Sequence, residues 1–144
     1  MPVLPFDVQR LDHVVLRVKD PAASVAFYSK VLGMALVRER PEFGLIHLRA
    51  GASMLDLVGV DGPLGRRGGA APGRSGLNAD HFCLRVEPFD EAAIRAHLSA
   101  CGLPEPEPAV IRFGAEGTGM SIYLQDPDGN VVELKGPPLR DAGA

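Results

Sequence analysis

The sequence predicts an α+β fold in which two similar modules follow one another, each with the order strand, helix and three further strands. Three observations predict it: a strand-like motif that occurs twice, a capped helix-like stretch after each copy, and alternating apolar segments that close each half. The chain has 144 residues, 46% of them apolar. A single domain with a packed interior is therefore expected.

The first strand of each module is indicated by repetition. LDHVVLRV occupies residues 11–18 and ADHFCLRV occupies residues 79–86, so that Asp, His, Leu, Arg and Val recur at identical spacing. Successive side chains of a strand point to opposite faces. His13 and His81 are therefore expected on the face opposite the apolar residues that pack on a helix.

A helix is predicted after each first strand. The first runs over residues 21–32, with Asp20 as the N-cap, proline at the first helical position and Gly33 just past the end. The second runs over about 90–101 and is followed by Gly102.

The remaining strands are predicted as hairpins in each half. DPDGN at 126–130 is a tight-turn signal in which Gly129 and Asn130 are expected to take positive φ. RFGAEGTGMS at 112–121 contains three glycines and predicts either a flexible loop that folds over a site or a plain surface loop. The strands are expected at 35–39, 43–50 and 53–59 in the first half and at 121–125 and 131–136 in the second.

A glycine- and proline-rich connector divides the chain into the two modules. It covers residues 61–76 and includes GPLGRRGGAAPGRSG. We therefore expect one domain over residues 1–144, made of a module at 8–60 and a module at 77–136.

Composition excludes several classes of protein. The net charge of −3 does not indicate a nucleic-acid binder. There is neither an apolar run long enough to span a membrane nor a signal-peptide pattern, so a cytoplasmic protein without membrane partners is expected. Cys83 and Cys101 do not form a disulfide framework and are expected to be small buried hydrophobes.

Four polar residues form the candidate site. Each module supplies one histidine on its first strand and one acid on its last: His13 with Asp56, and His81 with Glu133. If the two sheets face each other, they form a cup with these side chains inside. Imidazole and carboxylate ligands without thiolate suit one divalent Zn, Ni, Co, Fe or Mn ion, with positions left open for substrate.

The other two histidines have no repeat-equivalent partners. His97 is expected to be exposed on the second helix. For His47, a surface or packing role is favoured over a place in the pocket.

Three motifs carry a resemblance to a known family. They are LDHVVLRVKD, VAFYSKVLGM and SIYLQDPDGNVVELKG. With its paired βαβββ modules, the chain resembles the vicinal-oxygen-chelate superfamily from about Val8 to Gly136. That superfamily includes glyoxalase I, fosfomycin-resistance thiol transferases, extradiol dioxygenases and bleomycin-resistance proteins. The resemblance implies a cupped mixed sheet and metal ligands at His13, Asp56, His81 and Glu133.

One position departs from the family's pattern. Glyoxalase I enzymes of similar size usually have Glu or Gln where this chain has Asp56, which is one methylene shorter. Asp56 therefore either binds the metal directly, binds through water, or does not bind. In the last case two histidines and one carboxylate remain, a set suited to Fe(II) or Mn(II).

The resemblance also implies the kind of chemistry. A glyoxalase-like lyase or isomerase acting on a small molecule chelated through two neighbouring oxygens is favoured, with Glu133 as the base and Asp56 as the alternative. An Fe(II) extradiol dioxygenase, a fosfomycin-type thiol transferase, an antibiotic-binding protein of the bleomycin-resistance type and a purely structural metal site remain alternatives. The substrate, the metal and the reaction type stay open.

Substrate contacts and assembly are the last expectations. Arg17 and Arg85 are repeat-equivalent and either bind an anionic substrate or act as solvated or structural charges. Arg112 and Tyr123 are further weak candidates for substrate binding. The resemblance implies a homodimer, since members of the superfamily assemble their cups from two chains as well as from one, and the site forms either within one chain or across two.

Overall fold

The computed structural model describes residues 3–140, so both ends of the expected domain 1–144 lie outside the described residues. Within that range the chain forms eight strands, two α-helices and one short 3-10 turn at Pro41–Phe43. The first half contains β1 (His13–Val18), α1 (Pro21–Leu32), β2 (Ala35–Arg40), β3 (Leu45–Ala50) and β4 (Ser53–Gly59). The second contains β5 (Phe82–Arg85), α2 (Glu91–Ala100), β6 (Val110–Gly114), β7 (Gly117–Gln125) and β8 (Val131–Pro138).

The strands form two sheets of four with the same topology. Their orders are β1-β4-β3-β2 and β5-β8-β7-β6. The β1–β4 and β5–β8 pairs are parallel and the others are antiparallel. A helix must cross over between parallel neighbours, which explains why α1 and α2 each follow a first strand. The predicted α+β class and the βαβββ order are confirmed.

Both helices begin and end at residues that satisfy free backbone groups. The Asp20 side chain accepts a hydrogen bond from the backbone of Ala23, and Asp90 does the same for Ala93. The first helix stops at Gly33, whose φ of 68° is in the left-handed region. The predicted bounds of α1 are confirmed, and α2 starts one residue later because Asp90 is its cap.

One hydrophobic core joins the two halves. The apolar faces of β1 and β5 are turned toward it, as alternation predicts, and Leu16 and Val18 are almost completely buried. Side chains from both helices and both sheets belong to a single cluster, which includes Tyr28, Val31, Leu57, Leu98, Ile122 and Leu134. We call the opposite, helix-free side of each sheet its open face.

Polar contacts also tie the halves together. The buried Tyr28 hydroxyl donates to Asp126 Oδ2 at 2.7 Å. The side chain of Asn78 both accepts from the backbone N–H of Arg17 and donates to its carbonyl, and also donates to Asn130 Oδ1. The turn at 126–130 therefore contacts α1 and the end of the connector.

Three local predictions are corrected. β3 begins at Leu45 because residues 41–43 form a 3-10 turn that ends at Gly44, with φ of 63°. In the turn only Gly129 has a positive φ. The backbone N–H of Asn130 donates a hydrogen bond to the Asp126 carboxylate, which holds Asn130 in its conformation. Residues 112–121 form most of the β6–β7 hairpin and not a loop. Their glycines leave space for a neighbouring side chain, as described below.

No helix of the described chain is long and apolar enough to cross a membrane.

Candidate metal centre

The histidine of the first half is oriented by its neighbour in sequence. His13 Nδ1 lies 2.9 Å from Asp12 Oδ2, which leaves Nε2 free on a half-exposed side chain. The hydrogen bond with Asp12 and the charge of Asp56 raise the pKa of His13 above its ordinary value. Such a carboxylate–imidazole pair fixes the ring that binds a metal through its other nitrogen.

The acid of the first half is buried in the middle of its sheet. Asp56 is 5% exposed and lies between Val15 of β1 and His47 of β3 in the strand register. His47 Nδ1 lies 2.8 Å from Asp56 Oδ1. His47 is therefore part of this cluster, contrary to the surface or packing role expected for it.

The second half repeats this plan with different neighbours. His81, directly before β5, has Nδ1 2.6 Å from Asp80 Oδ2 and Nε2 3.2 Å from Glu133 Oε1. The hydrogen bond with Asp80 is the main cause that raises the pKa of His81. Glu133 is 5% exposed, and Ser121 Oγ donates to its Oε2 at 2.6 Å.

The donor set fits a divalent cation. Each half presents one imidazole Nε2 and one buried carboxylate on the open face, and these are oxygen and nitrogen ligands of the kind that Zn, Ni, Co, Fe and Mn accept. Within residues 3–140, neither Asp56 nor Glu133 forms an ion pair with Lys or Arg; the only basic partner of each is a histidine. A buried carboxylate without a permanent cation favours a metal ion nearby.

The candidate ligands of the two halves do not form one cluster among the residues that the structure describes. Across residues 3–140, no three His, Cys, Asp or Glu side chains lie close enough together to hold a metal ion. The structure thus places His13 near Asp56 and His81 beside Glu133, as two half-sites.

Cys83 does not add a thiolate to the second half-site. It is adjacent to Glu133 in the register of β5 and β8. Partial burial, followed by the charge of Glu133, raises the pKa of the Cys83 thiol to about 11. The thiol is therefore protonated at neutral pH in the absence of a metal ion.

The candidate substrate-binding residues have different surroundings. All three donating nitrogens of the Arg17 guanidinium bond to carbonyls of the connector, those of Gly65, Gly69 and Ala70. Arg17 is thus engaged in holding the connector, the structural alternative that the sequence left open.

The other three lie on the second sheet. Arg85 Nε lies 2.6 Å from Glu116 Oε1. Arg112 Nε donates to the hydroxyl of Tyr123 at 3.1 Å, and the Tyr123 ring lies edge-on to His81 with centroids 6.0 Å apart. Arg112 and Tyr123 are therefore next to the second half-site.

Sequence reasoning favoured a surface or packing role for His47 and did not single out Lys135. A two-residue turn at 51–52 pairs residue 50 with 53, and hence His47 with Asp56, so hairpin register could have identified His47. Lys135 follows Glu133 by two residues and shares its face, which alternation also could have indicated.

Comparison with known proteins agrees with this architecture. A family model described as the Glyoxalase/Bleomycin resistance protein/Dioxygenase superfamily matches residues 10–134. The lactoylglutathione lyase of Salmonella typhimurium is 32% identical over 138 residues, covering 93% of this chain and 96% of the relative.

A second relative is similar in both sequence and structure. The virulence protein STM3117 of Salmonella typhimurium is 30% identical over 132 residues, covering 88% of this chain and 83% of that protein. Its crystal structure has a TM-score of 0.75 at 27% identity, covering 92% of this chain and 99% of the other. The fosfomycin resistance protein FosX of Listeria monocytogenes shares the fold alone, with a TM-score of 0.66 at 18% identity over 92% of this chain and 97% of its own.

Proposed function

Since the chain belongs to the Glyoxalase/Bleomycin resistance protein/Dioxygenase superfamily, we propose that it is a divalent-metal-dependent enzyme. The substrate is a small molecule with two neighbouring oxygens, and the favoured reaction is a glyoxalase-like lyase or isomerase reaction. The observation that carries the proposal is the repeated half-site, in which a carboxylate-oriented histidine accompanies a buried acid. The likeness to a lactoylglutathione lyase supports the choice of reaction.

Four residues would hold the metal: His13, Asp56, His81 and Glu133. The metal, when bound, supplies a Lewis acid that polarises a substrate oxygen. Asp12 and Asp80 hold the imidazole rings so that each presents Nε2. His47 holds one oxygen of Asp56 and leaves the other to face the site.

Glu133 is the proposed base. Its Oε2 accepts a hydrogen bond from the Ser121 hydroxyl, while its Oε1 faces the imidazole of His81. Ser121 fixes the carboxylate, and if His81 Nε2 turned to the metal, Oε1 would be free to take a proton from carbon next to a carbonyl. Asp56 is the alternative base, although its bond to His47 occupies one oxygen.

A complete centre requires two copies of the chain. Because the half-sites do not form one cluster within residues 3–140, we propose a homodimer in which the first half-site of one chain faces the second half-site of the other. Exposed apolar side chains on the edge strands β2 and β6 support this assembly, since an exposed apolar edge favours contact with another chain. They are Leu36, Val37, Ile111 and Phe113.

A second function is favoured by one specific contact. If Asp56 stays bonded to His47, the remaining set is His13, His81 and Glu133. Two histidines and one carboxylate with open positions suit non-haem Fe(II). An extradiol-type dioxygenase is therefore the second candidate.

Elemental analysis of the purified protein tests the proposal. Wild type is expected to contain about one metal ion per chain, since a symmetric dimer of the proposed kind has two equivalent centres. His13→Ala and Glu133→Ala are each expected to lose the ion, while His97→Ala, which removes a histidine outside both half-sites, is expected to keep it. Ni, Zn or Co would favour the lyase, and Fe the dioxygenase. Wild-type protein that stays metal-free after incubation with each ion would exclude the metalloenzyme.

A further inference from the structure

Lys135 is a buried cation without a charged partner. Lys135 is 7% exposed. No Asp or Glu oxygen of residues 3–140 lies within 4.0 Å of its ammonium, whereas the neighbouring Arg85 has two acidic partners. Its one hydrogen bond goes from Nζ to the carbonyl of Gly117 at 3.0 Å, so two of its three N–H groups have no partner there. Buried charges are normally paired, because an unpaired charge in a low-dielectric surrounding is costly.

The β6–β7 hairpin is built around this side chain. A methyl group added at Gly114 would lie 2.8 Å from Lys135 Cε, and one added at Gly119 would lie 3.1 Å from Nζ. Gly114 therefore leaves room for the lysine to lie across the open face of the second sheet, whereas at Gly119 the backbone carbonyls of Gly136 and Pro137 are nearer still. One of the glycines that suggested a flexible loop, Gly114, thus has a structural purpose, which is to accommodate the lysine side chain.

An ion pair spans the same region. Arg85 is adjacent to Lys135 in the register of β5 and β8. Its Nε lies 2.6 Å from Oε1 of Glu116, which stands in the turn between β6 and β7. Glu116 of the β6–β7 turn therefore contacts a residue of β5, the strand at the other edge of the sheet. Its side chain is 55% exposed and it is held by this one guanidinium, so another carboxylate could replace it.

Lys135 and Arg85 lie next to the second half-site. Lys135 and Glu133 are two residues apart on β8 and share the open face, with Ser121 of β7 beside Lys135 in the register. The Cys83 thiol is close enough to both that Glu133 raises its pKa and Lys135 lowers it. A small molecule held at Glu133 would therefore have the ammonium and the guanidinium at one end.

We propose that Lys135 and Arg85 bind an oxyanion group, carboxylate or phosphate, of the small-molecule substrate, and that Glu116 occupies the guanidinium until the ligand displaces it. Arg85 Nη1 donates to the carbonyl of Val86, so Nε, once Glu116 is displaced, and Nη2 are the donors that the guanidinium offers. The ammonium adds a point charge, and together they match an oxyanion. As a statement about the enzyme's substrate class, this inference rests on the proposed function. Anion binding itself needs no metal.

The test uses the full-length protein after passage over a chelating resin, at low ionic strength. Malonate and inorganic phosphate are titrated by calorimetry, with uncharged malonamide as the control ligand. We expect one or both anions to bind and malonamide not to bind; which anion binds tighter distinguishes a carboxylate from a phosphate substrate. Lys135→Met keeps an unbranched side chain that is one atom shorter and removes the charge. It is expected to weaken anion binding at least tenfold, while Lys30→Met, on the exposed side of α1, leaves it unchanged.

Two further variants keep the test decisive if Lys135→Met folds poorly. Glu116→Gln is expected to tighten anion binding several-fold, because it removes the internal competitor. Gly114→Ala is expected to weaken binding because its methyl group displaces the lysine. Equal anion affinity in Lys135→Met and Lys30→Met, or weaker binding in Glu116→Gln, would overturn the inference. Anion binding by a protein that takes up no metal would contradict the proposed function but support the anion site, so the two can fail separately.

Discussion

Each candidate metal-binding histidine is oriented by the residue directly before it in the chain. The Asp12 carboxylate lies 2.9 Å from Nδ1 of His13, and the Asp80 carboxylate lies 2.6 Å from Nδ1 of His81. The repeated Asp-His dipeptide thus contains both a ligand and the group that selects its tautomer. The repeated dipeptide was visible in the sequence, but the role of its aspartate was not.

Asp80→Asn tests the orienting role at the residue scale. The amide keeps the size of the side chain but removes the charge that favours Nδ1–H, so metal affinity is expected to fall about tenfold. Competition with a chromogenic chelator measures the affinity. Asp7→Asn, an exposed aspartate outside both half-sites, is the matched control. Equal affinity in the two variants would argue against the role.

Tyr28 provides a second prediction at this scale. Burial, followed by the charge of Asp126, raises the pKa of its hydroxyl. The folded state therefore favours the neutral phenol, while the unfolded state ionises near pH 10. The contribution of Tyr28 to stability is thus complete below about pH 10 and declines at higher pH.

Urea unfolding between pH 7 and 11 checks this dependence. Tyr28→Phe is expected to lower the free energy of unfolding by about 1.5 kcal/mol at pH 7, the scale of a hydrogen bond to a charged group. It is also expected to flatten the decline in stability above pH 10. Tyr123→Phe, which removes the hydroxyl that faces Arg112, is the control for loss of one hydroxyl. An equally steep decline in Tyr28→Phe and wild type would contradict the assignment.

At the scale of elements, a helix or strand could be predicted accurately where residues close in sequence fix both of its ends. The first helix was predicted to the residue, because Asp20, Pro21 and Gly33 mark its ends by short-range hydrogen bonds and backbone conformation. The hairpin at 112–121 was interpreted wrongly, because its glycines serve close contacts with residues of β8, such as that of Gly114 with Lys135, which are distant in sequence. His47 was underestimated for the same reason: its partner Asp56 belongs to the next strand. The helix and strand propensities of single segments do not reveal which elements contact each other.

The cap of α2 gives a prediction for this scale. The side chain of Asp90 accepts a hydrogen bond of 3.1 Å from the backbone N–H of Ala93. This is one of the N–H groups that have no partner within the helix at its start. Asp90→Ala is expected to lower the free energy of unfolding by about 1 kcal/mol, and Asp90→Ser to recover most of that loss. Chemical denaturation followed by circular dichroism gives both values. A serine variant as unstable as the alanine variant would mean that capping is not the cause.

At the scale of the whole molecule, the connector is held in place by a residue of the first strand. Residues 61–76 have little regular structure, yet the Arg17 guanidinium donates to three of their carbonyls. Asn78, just past the connector, then bonds to the backbone of Arg17 and to Asn130. The path of the chain between the halves is therefore fixed by hydrogen bonds and not by secondary structure.

Limited trypsin digestion tests this role. Arg66 and Arg67 lie within the connector and are both exposed. Arg17→Met is expected to increase the rate of cleavage there several-fold, because local opening no longer breaks three hydrogen bonds. Arg85→Met, which removes an arginine that does not touch the connector, serves as the reference. Cleavage rates that match in the two variants would argue against Arg17 as the anchor.

The proposed division of the metal centre between two chains, each with one half-site among residues 3–140, would have a consequence for solution behaviour. A centre divided between two copies obeys mass action, so its metal affinity depends on protein concentration as well as on metal concentration. Diluting the protein below the dimer dissociation constant would release metal at constant free metal concentration. Adding metal would in turn draw monomers into dimers. The ion would then act as an assembly factor, and the amount of active enzyme in a cell would vary with the square of chain abundance when the chain is scarce.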